Sequence, residues 1–306
     1  MKKQAGFTLI ELMISIGLGL IIVAAALLLF LSGQRNAAMQ KSTVDLQDDQ
    51  NFGLAYIAKN IRQANLNSPT ASLSSGSNLA GIVFTTANIS NKITGVESKF
   101  LTMTPTSGDA GKSNMNLKGG ATYYNDQLVI QYRPTETGGY DCAGNLINRT
   151  DIYILERYFV RTDSNGGGTD AARSALACAS SRYLANLTAA TDLESSTTAG
   201  LYGNGEIIMK RVDLFRVRFL VQIGANKRYV TITQYKAITP APRILAVQLG
   251  IIARAPDGTT ERSVSASQEF SIFNQTVTPK TDFSGRYIRT PIMQTVALRN
   301  ALGDRS

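Results

Sequence analysis

The chain has 306 residues, 43% of them apolar, with no histidine, two cysteines and a formal net charge of +9 at pH 7. That length and apolar share suffice for a sizeable core, while the missing histidine removes the commonest general base and the usual zinc and serine-hydrolase arrangements. The positive charge is spread along the chain rather than gathered into a Lys/Arg block, so nucleic acid is at most a minor partner.

The first element is the run MKKQAGFTLIELMISIGLGLIIVAAALLLF. From Phe7 to Leu31 about 25 residues carry no proline and no charge except Glu11, enough at 1.5 Å per residue for one bilayer-spanning helix. Lys2 and Lys3 ahead of it favour a cytoplasmic start and an outward-facing head. A carboxylate inside hydrocarbon costs roughly 2.5–3.5 kcal/mol on insertion scales, so Glu11 needs either a partner or a position from which it can snorkel to the interface. An ordinary secretory signal is shorter and is cut on its far side. Ala24–Ala26 imitate such a site, but the apolar run continues past them to Leu31.

The near side of the span reads Gly6, Phe7, Thr8, Leu9, Ile10, Glu11. This resembles the class III signal of type IV prepilins and related pseudopilins. The resemblance implies cleavage between Gly6 and Phe7 by a membrane-embedded prepilin peptidase and N-methylation of Phe7. It also implies pairing, in the assembled filament, of Glu11 of one subunit with the Phe7 amine of a neighbour. An amine of that kind has an ordinary pKa near ~8 and is mostly charged at neutral pH. Two buried charges offset each other's desolvation only when they meet closely.

Residues 32–67 lack proline and mix charges with recurring apolar positions, which predicts that the helix continues. Leu54, Ile57, Ile61 and Ala64 fall on one face, and Gly53 weakens the helix slightly. Asp45, Asp48 and Asp49 oppose an anionic membrane surface, so this half is expected to pack on the head. The turn-rich stretch SPTASLSSGSNLAG, from Ser68, ends it.

Strand-like runs follow: GIVFTTA, KFLTMT, DQLVIQYR, DIYILERYFVR, EIIMKRVDLFRVRFLVQI as one long strand, KRYVTITQY, RILAVQLGIIARA, QEFSIFN and IRTPIMQTVALRN. Val212, Leu214, Phe215, Val217, Phe219 and Val221 make a mostly period-two apolar set, with Arg216 and Arg218 facing away. LAVQLGII fits a helix as well as a strand. Two Gly/Ser/Thr/Ala-rich stretches, 133–150 and 161–205, read as exposed or partly disordered loops with one cysteine each. Cys142 and Cys178 both fall outside the cytoplasm. A disulfide closing a loop of about 35 residues contributes on the order of 3–4 kcal/mol; two free thiols are the alternative, and a metal site lacks histidines to complete it.

No phosphate-binding loop or EF-hand spacing occurs. Asp151, Glu156 and Asp213 are available carboxylates, but on surface strands they read as solvated, so no catalytic residue, cofactor or metal is expected. The fold expected is α+β and pilin-like: a long N-terminal helix, membrane anchor plus amphipathic half, packed on an antiparallel, largely two-layer β-sheet head. The segments are a leader at 1–6, an anchor at 7–31, its amphipathic continuation at 32–67 and a periplasmic head at 68–306.

The later stretches AYIAKNIRQAN, GGYDCAGN, RYFVR, RVDLFRVRF, RILAVQLGIIAR and TPIMQTVALRN make the chain resemble the PilW family of minor pilins. That resemblance implies a single-pass inner-membrane subunit that primes type IV pilus assembly and then sits at the pilus tip. Its implied partners are the lipid bilayer, prepilin peptidase, the inner-membrane assembly platform, the major pilin, other minor pilins and a PilY-type tip adhesin. The span lacks the mid-helix proline common in major pilins. Two alternatives stay open: a J-type minor pseudopilin of type II secretion, usually shorter, and a membrane-tethered binding or enzymatic domain whose anchor is never processed.

Overall fold

Unbroken helical periodicity without proline carries the chain into one 53-residue helix, α1 (Leu9–Ile61). A computed structural model describes residues 8–166, 173–193, 200–258, 264–265, 267–281 and 285–301. The chain divides into two units, Met1–Asp45 and Leu46–Ser306.

In the first unit the large apolar side chains from Leu9 to Leu31 are exposed on every side of the helix. By length and composition this helix is able to cross a membrane, and an all-round apolar surface is what lipid requires of a span.

In the second unit the helix has a buried face. Leu54, Ile57 and Ile61 lie on it as their spacing predicts, Leu46 and Gln50 extend it toward the N-terminus, and Ala64 is buried just beyond the helix end. Gly53 is the point where the helix meets Met209, so the residue that weakens the helix also permits its close packing. The helix stops at Ile61, short of the expected residue 67. Asn65 and Asn67 have φ of 66° and 52°, a left-handed conformation that asparagine tolerates better than most residues. The Asn65 amide donates to the Thr70 and Asn300 carbonyls, and its Oδ1 accepts from Gly81 N, which fixes the turn.

The head strands, with two short helices among them, are β1 (Ile93–Thr94), α2 (Gly108–Gly111), β2 (Met115–Leu117), β3 (Leu128–Tyr132), β4 (Ile152–Thr162), β5 (Ser174–Leu184), β6 (Thr191–Asp192), β7 (Glu206–Lys210), β8 (Val212–Ile223), β9 (Asn226–Thr231), α3 (Ile232–Lys236), β10 (Arg243–Gly258), β11 (Phe270–Ile272), β12 (Gln275–Pro279) and β13 (Tyr287–Ala297). Two antiparallel four-stranded sheets dominate, ordered β3-β4-β5-β7 and β13-β10-β8-β9. A small sheet, β11-β12-β2, and a parallel pair, β1-β6, complete the set.

One apolar cluster joins the buried face of α1 to the inner faces of both large sheets through residues such as Ile154, Tyr158, Phe215, Val217, Val247 and Leu249. The outer faces are covered too. Val83, Leu101 and Leu201 lie over Val129, Tyr153 and Leu155 on one sheet, and Phe270, Ile272 and Val277 lie over Leu214 and Ile252 on the other.

Several expectations are corrected by this arrangement. The long strand 206–223 is two strands in different sheets, broken at Arg211, whose φ of 58° turns the chain. GIVFTTA and KFLTMT form only isolated bridges, at Ile82 and Met103, and short 3-10 turns. LAVQLGII is the centre of β10, paired on both sides. The stretch 161–205 contains β5, an eleven-residue strand held between β4 and β7. Its Ala and Ser content reads as loop, but small side chains are what a strand buried on both faces at a crowded crossing can hold.

Candidate assembly site and the polar nodes of the head

Cleavage and methylation are expected at Gly6 and Phe7, and these, with Lys2 and Lys3, lie outside the described residues. The third member of that set is visible. Thr8 Oγ1 accepts from Glu11 N at 3.4 Å, Thr8 O accepts from Leu12 N, and the Ser15 hydroxyl donates to Glu11 O at 2.7 Å. Glu11 therefore sits in the first turn, where a negative charge is favourable beside unsatisfied backbone N–H groups. Its side chain is exposed, and among the described residues its carboxylate has no hydrogen-bond or ion-pair partner.

The cysteines meet. Cys142 and Cys178 form a disulfide with Cα atoms 6.0 Å apart, both residues buried. Cys142 comes from a hairpin-like loop in which Gly138 N donates to Ile147 O and Asp141 N to Asn145 O. The Asp141 carboxylate pins this loop to β5, accepting from Ser180 Oγ at 2.8 Å and Arg182 Nη2 at 2.9 Å as well as from Ala143 N and Asn145 N. Cys178 is on β5, directly across from Tyr158 of β4.

Beside the disulfide lies Glu156, fully buried rather than solvated. Its Oε1 accepts from Cys142 N at 2.9 Å and from the Tyr132 hydroxyl at 3.1 Å, and its Oε2 accepts from the Tyr158 hydroxyl at 2.6 Å. Tyr56 of α1 donates to the Cys142 carbonyl at 3.3 Å, tying the helix to the same node. Burial pushes the Glu156 carboxyl up to about 7 against the pull of its three donors, and burial next to that carboxylate raises Tyr132 and Tyr158. Cys142, Glu156 and Cys178 place three potential ligand atoms within 4.8 Å of one another. The sulfurs are committed to the S–S bond, so the cluster offers a metal one donor.

Asp213 is the second corrected carboxylate. A register shift between Ile252 and Ala253 leaves it in a bulge of β8, which places Val212 and Phe215 together in the main core and Leu214 on the outer face. Its carboxylate takes Arg254, Arg289 Nε at 2.7 Å and Asn114 Nδ2 at 2.7 Å. Arg216, expected to face away from the apolar set, is buried against Asp126 at 3.2 Å, and Arg218 lies over the Phe273 ring at 4.3 Å. Both face away from the main core as predicted, but the small sheet and the 123–126 loop cover that side. Asp151 alone keeps its surface position, paired with exposed Arg149 at 2.6 Å.

Arg157 on β4 is buried between the rings of Phe159, at 3.6 Å, and Phe100, at 4.8 Å. It donates to Gly203 O at 2.7 Å and Gln127 Oε1 at 3.2 Å, and burial pulls its guanidinium down to about 9. These groups brace loops against sheets. Among the described residues none forms a nucleophile and base pair opening on a cleft.

Glu156 carried a sequence signal. On β4 the inward set Ile152, Ile154, Glu156, Tyr158, Val160 is apolar but for one carboxylate, the same anomaly that draws attention to Glu11.

Residues 157–300 match the family model described as type IV pilus-assembly protein W, and residues 1–27 match the prokaryotic N-terminal methylation motif. No curated protein matches the chain. Among solved structures, a type IV-like pilin from Thermus thermophilus aligns at 11% identity over 84% of this chain and 96% of its own, with a TM-score of 0.38, too low to carry an argument.

Proposed function

We propose that this chain, which belongs to the PilW family of type IV pilin-like proteins, is a minor pilin that primes pilus assembly and remains at the pilus tip. It is a structural protein anchored by its N-terminal helix. The observation that carries the priming role is Glu11: a carboxylate exposed in the first turn of an apolar helix, without a partner among the described residues, in a chain whose start matches the methylation motif. Prepilin peptidase would free and methylate the Phe7 amine. The Glu11 carboxylate of one subunit would then neutralise the amine of the next as the helices are drawn from lipid into the filament. Such a pair forms in a low-dielectric setting, so it favours the assembled state only when both charges are present and close.

The head, braced by the disulfide and its buried ion pairs, is suited to repeated contact with the major pilin, other minor pilins and a PilY-type adhesin at a tip exposed outside the cell. Intact-mass analysis of the chain isolated from cells with an active peptidase tests the reading. A mature chain beginning at methylated Phe7 is expected. A chain still beginning at Met1, or one cut after Ala26, would overturn it.

A further inference from the structure

The carboxylate of Glu156 has no part in the assembly reading, yet it is placed against both sulfurs of the disulfide. Cys178 faces Tyr158 across the β4–β5 pair, and Glu156 is two residues along the same inner face, opposite Ser180. Cys142 approaches from its loop with its own N–H donating to Glu156 Oε1. A carboxylate oxygen and the two sulfurs lie within 4.8 Å of one another, all three residues buried. The other titratable groups around the carboxylate are Tyr132 on β3, Tyr158 on β4, Tyr56 on α1 and Asp141 in the loop. The tyrosines of β3 and β4 hold the carboxylate oxygens in place as donors, and Asp141 is occupied by Ser180, Arg182 and Asn145. An amide of the same shape would still accept from Cys142 N–H, while the Tyr158 hydroxyl, which donates to Oε2, would have to turn and accept from the amide instead.

We propose that Glu156 is the proton acceptor for closing the Cys142–Cys178 bond. The oxidant is a disulfide, RSSR, protein or low-molecular-weight. Cys142, on the loop and 4% exposed where Cys178 is fully buried, exchanges first: its thiolate attacks RSSR, one RS⁻ leaves, and a Cys142–SR mixed disulfide forms. The Cys178 thiol then gives its proton to the Glu156 carboxylate, and the resulting thiolate attacks the Cys142 sulfur. The bond between Cys142 and R breaks, the second RS⁻ departs, and both leaving thiolates take protons from solvent. Two electrons pass from the cysteine pair to RSSR, giving two RSH and the intramolecular disulfide, and Glu156 returns its proton to solvent. A thiol near its ordinary pKa of ~8.5 is only a few per cent thiolate at neutral pH, and an apolar setting lowers that fraction. A carboxylate raised toward the thiol by burial is a far better acceptor than an ordinary one.

The test uses the full chain in detergent, reduced and then exposed to oxidised glutathione, with acid quenching and mass analysis of the mixed disulfide. Its resolution to the closed bond is expected to accelerate with pH and level off near pH 7. In Glu156→Gln this step is expected to slow at least ~10-fold at pH 7, with its rise displaced to the thiol's own range above pH 8. A folded Gln variant that closes at the wild-type rate with the wild-type pH profile overturns the proposal. If circular dichroism shows that the variant does not fold, the wild-type profile decides: a rise centred near 8.5 instead of near 7 overturns it equally.

Discussion

At Glu156 burial, hydrogen bonding and charge pull against each other, and the outcome is measurable as stability. Three donors favour the ionised form, but complete burial outweighs them and lifts the carboxyl from its ordinary 4.5 to about 7. Between those values the unfolded chain has released a proton that the folded chain keeps. Stability from this group is therefore full below about pH 4.5 and is lost as pH rises through 7, by up to about 3 kcal/mol. Asp126, also raised by burial, adds to the loss with the same sign. The thermal midpoint of the oxidised chain is expected to fall from pH 5 to pH 8, and Glu156→Gln is expected to flatten that slope while gaining stability at pH 8. Parallel profiles for the two proteins would mean that the carboxyl is ionised at little cost. Arg157 shows the same physics with the opposite charge: with no carboxylate among its partners in the described residues, it is held by a carbonyl, an amide and two aromatic faces.

At the scale of elements, what the sequence discloses is one hidden face at a time. The stripe Leu54, Ile57, Ile61, Ala64 and the strand patterns of β3, β4 and β8 are legible because an apolar period reports burial directly, while the period of β10 leaves helix and strand equally open. The period does not report what covers the other face, so Asp213 reads as solvated and the layer over Arg216 is not foreseen, whereas Glu156 reads as solvated although it stands in the inward apolar set of β4. β5 is illegible for a related reason: Ala and Ser satisfy a crowded two-sided site without advertising it. That crowding is testable where the chain entering β7 crosses β5. A Cβ at Gly205, whose φ is +60°, would stand 2.1 Å from the Cys178 carbonyl oxygen, whereas at Gly224, also at +60° in the turn between β8 and β9, it would meet nothing within 4 Å. Gly224→Ala is expected to cost the roughly 1–2 kcal/mol of a left-handed residue. Gly205→Ala is expected to cost that plus a further ~1–3 kcal/mol of overpacking, read as a larger drop in thermal midpoint. Equal drops would show that the loop moves away without penalty.

For the whole molecule the decisive question is which state Glu11 favours, the subunit in lipid or the subunit in the filament. In lipid a lone carboxylate near the end of the span costs free energy, so Glu11→Ala is expected to insert at least as well as the wild type and to be cleaved at Gly6 as before. In the filament the same change removes the one carboxylate of the apolar span, 7–31, that could neutralise a neighbour's Phe7 amine, and the penalty moves to assembly. Glu11→Gln keeps the shape and a hydrogen-bond acceptor but not the charge, so it separates geometry from electrostatics. If the ion pair is what matters, Gln and Ala give the same defect. A subunit that primes assembly acts once per filament, so that defect is expected as fewer pili of ordinary length instead of as gaps along each one. Pilus counts and sheared-fraction content, beside a processing blot from the same cells, provide the measurement. Normal piliation with the variant incorporated, in a strain without a second priming system, would mean that Glu11 only snorkels to the interface within its own subunit and that the filament is nucleated through the head.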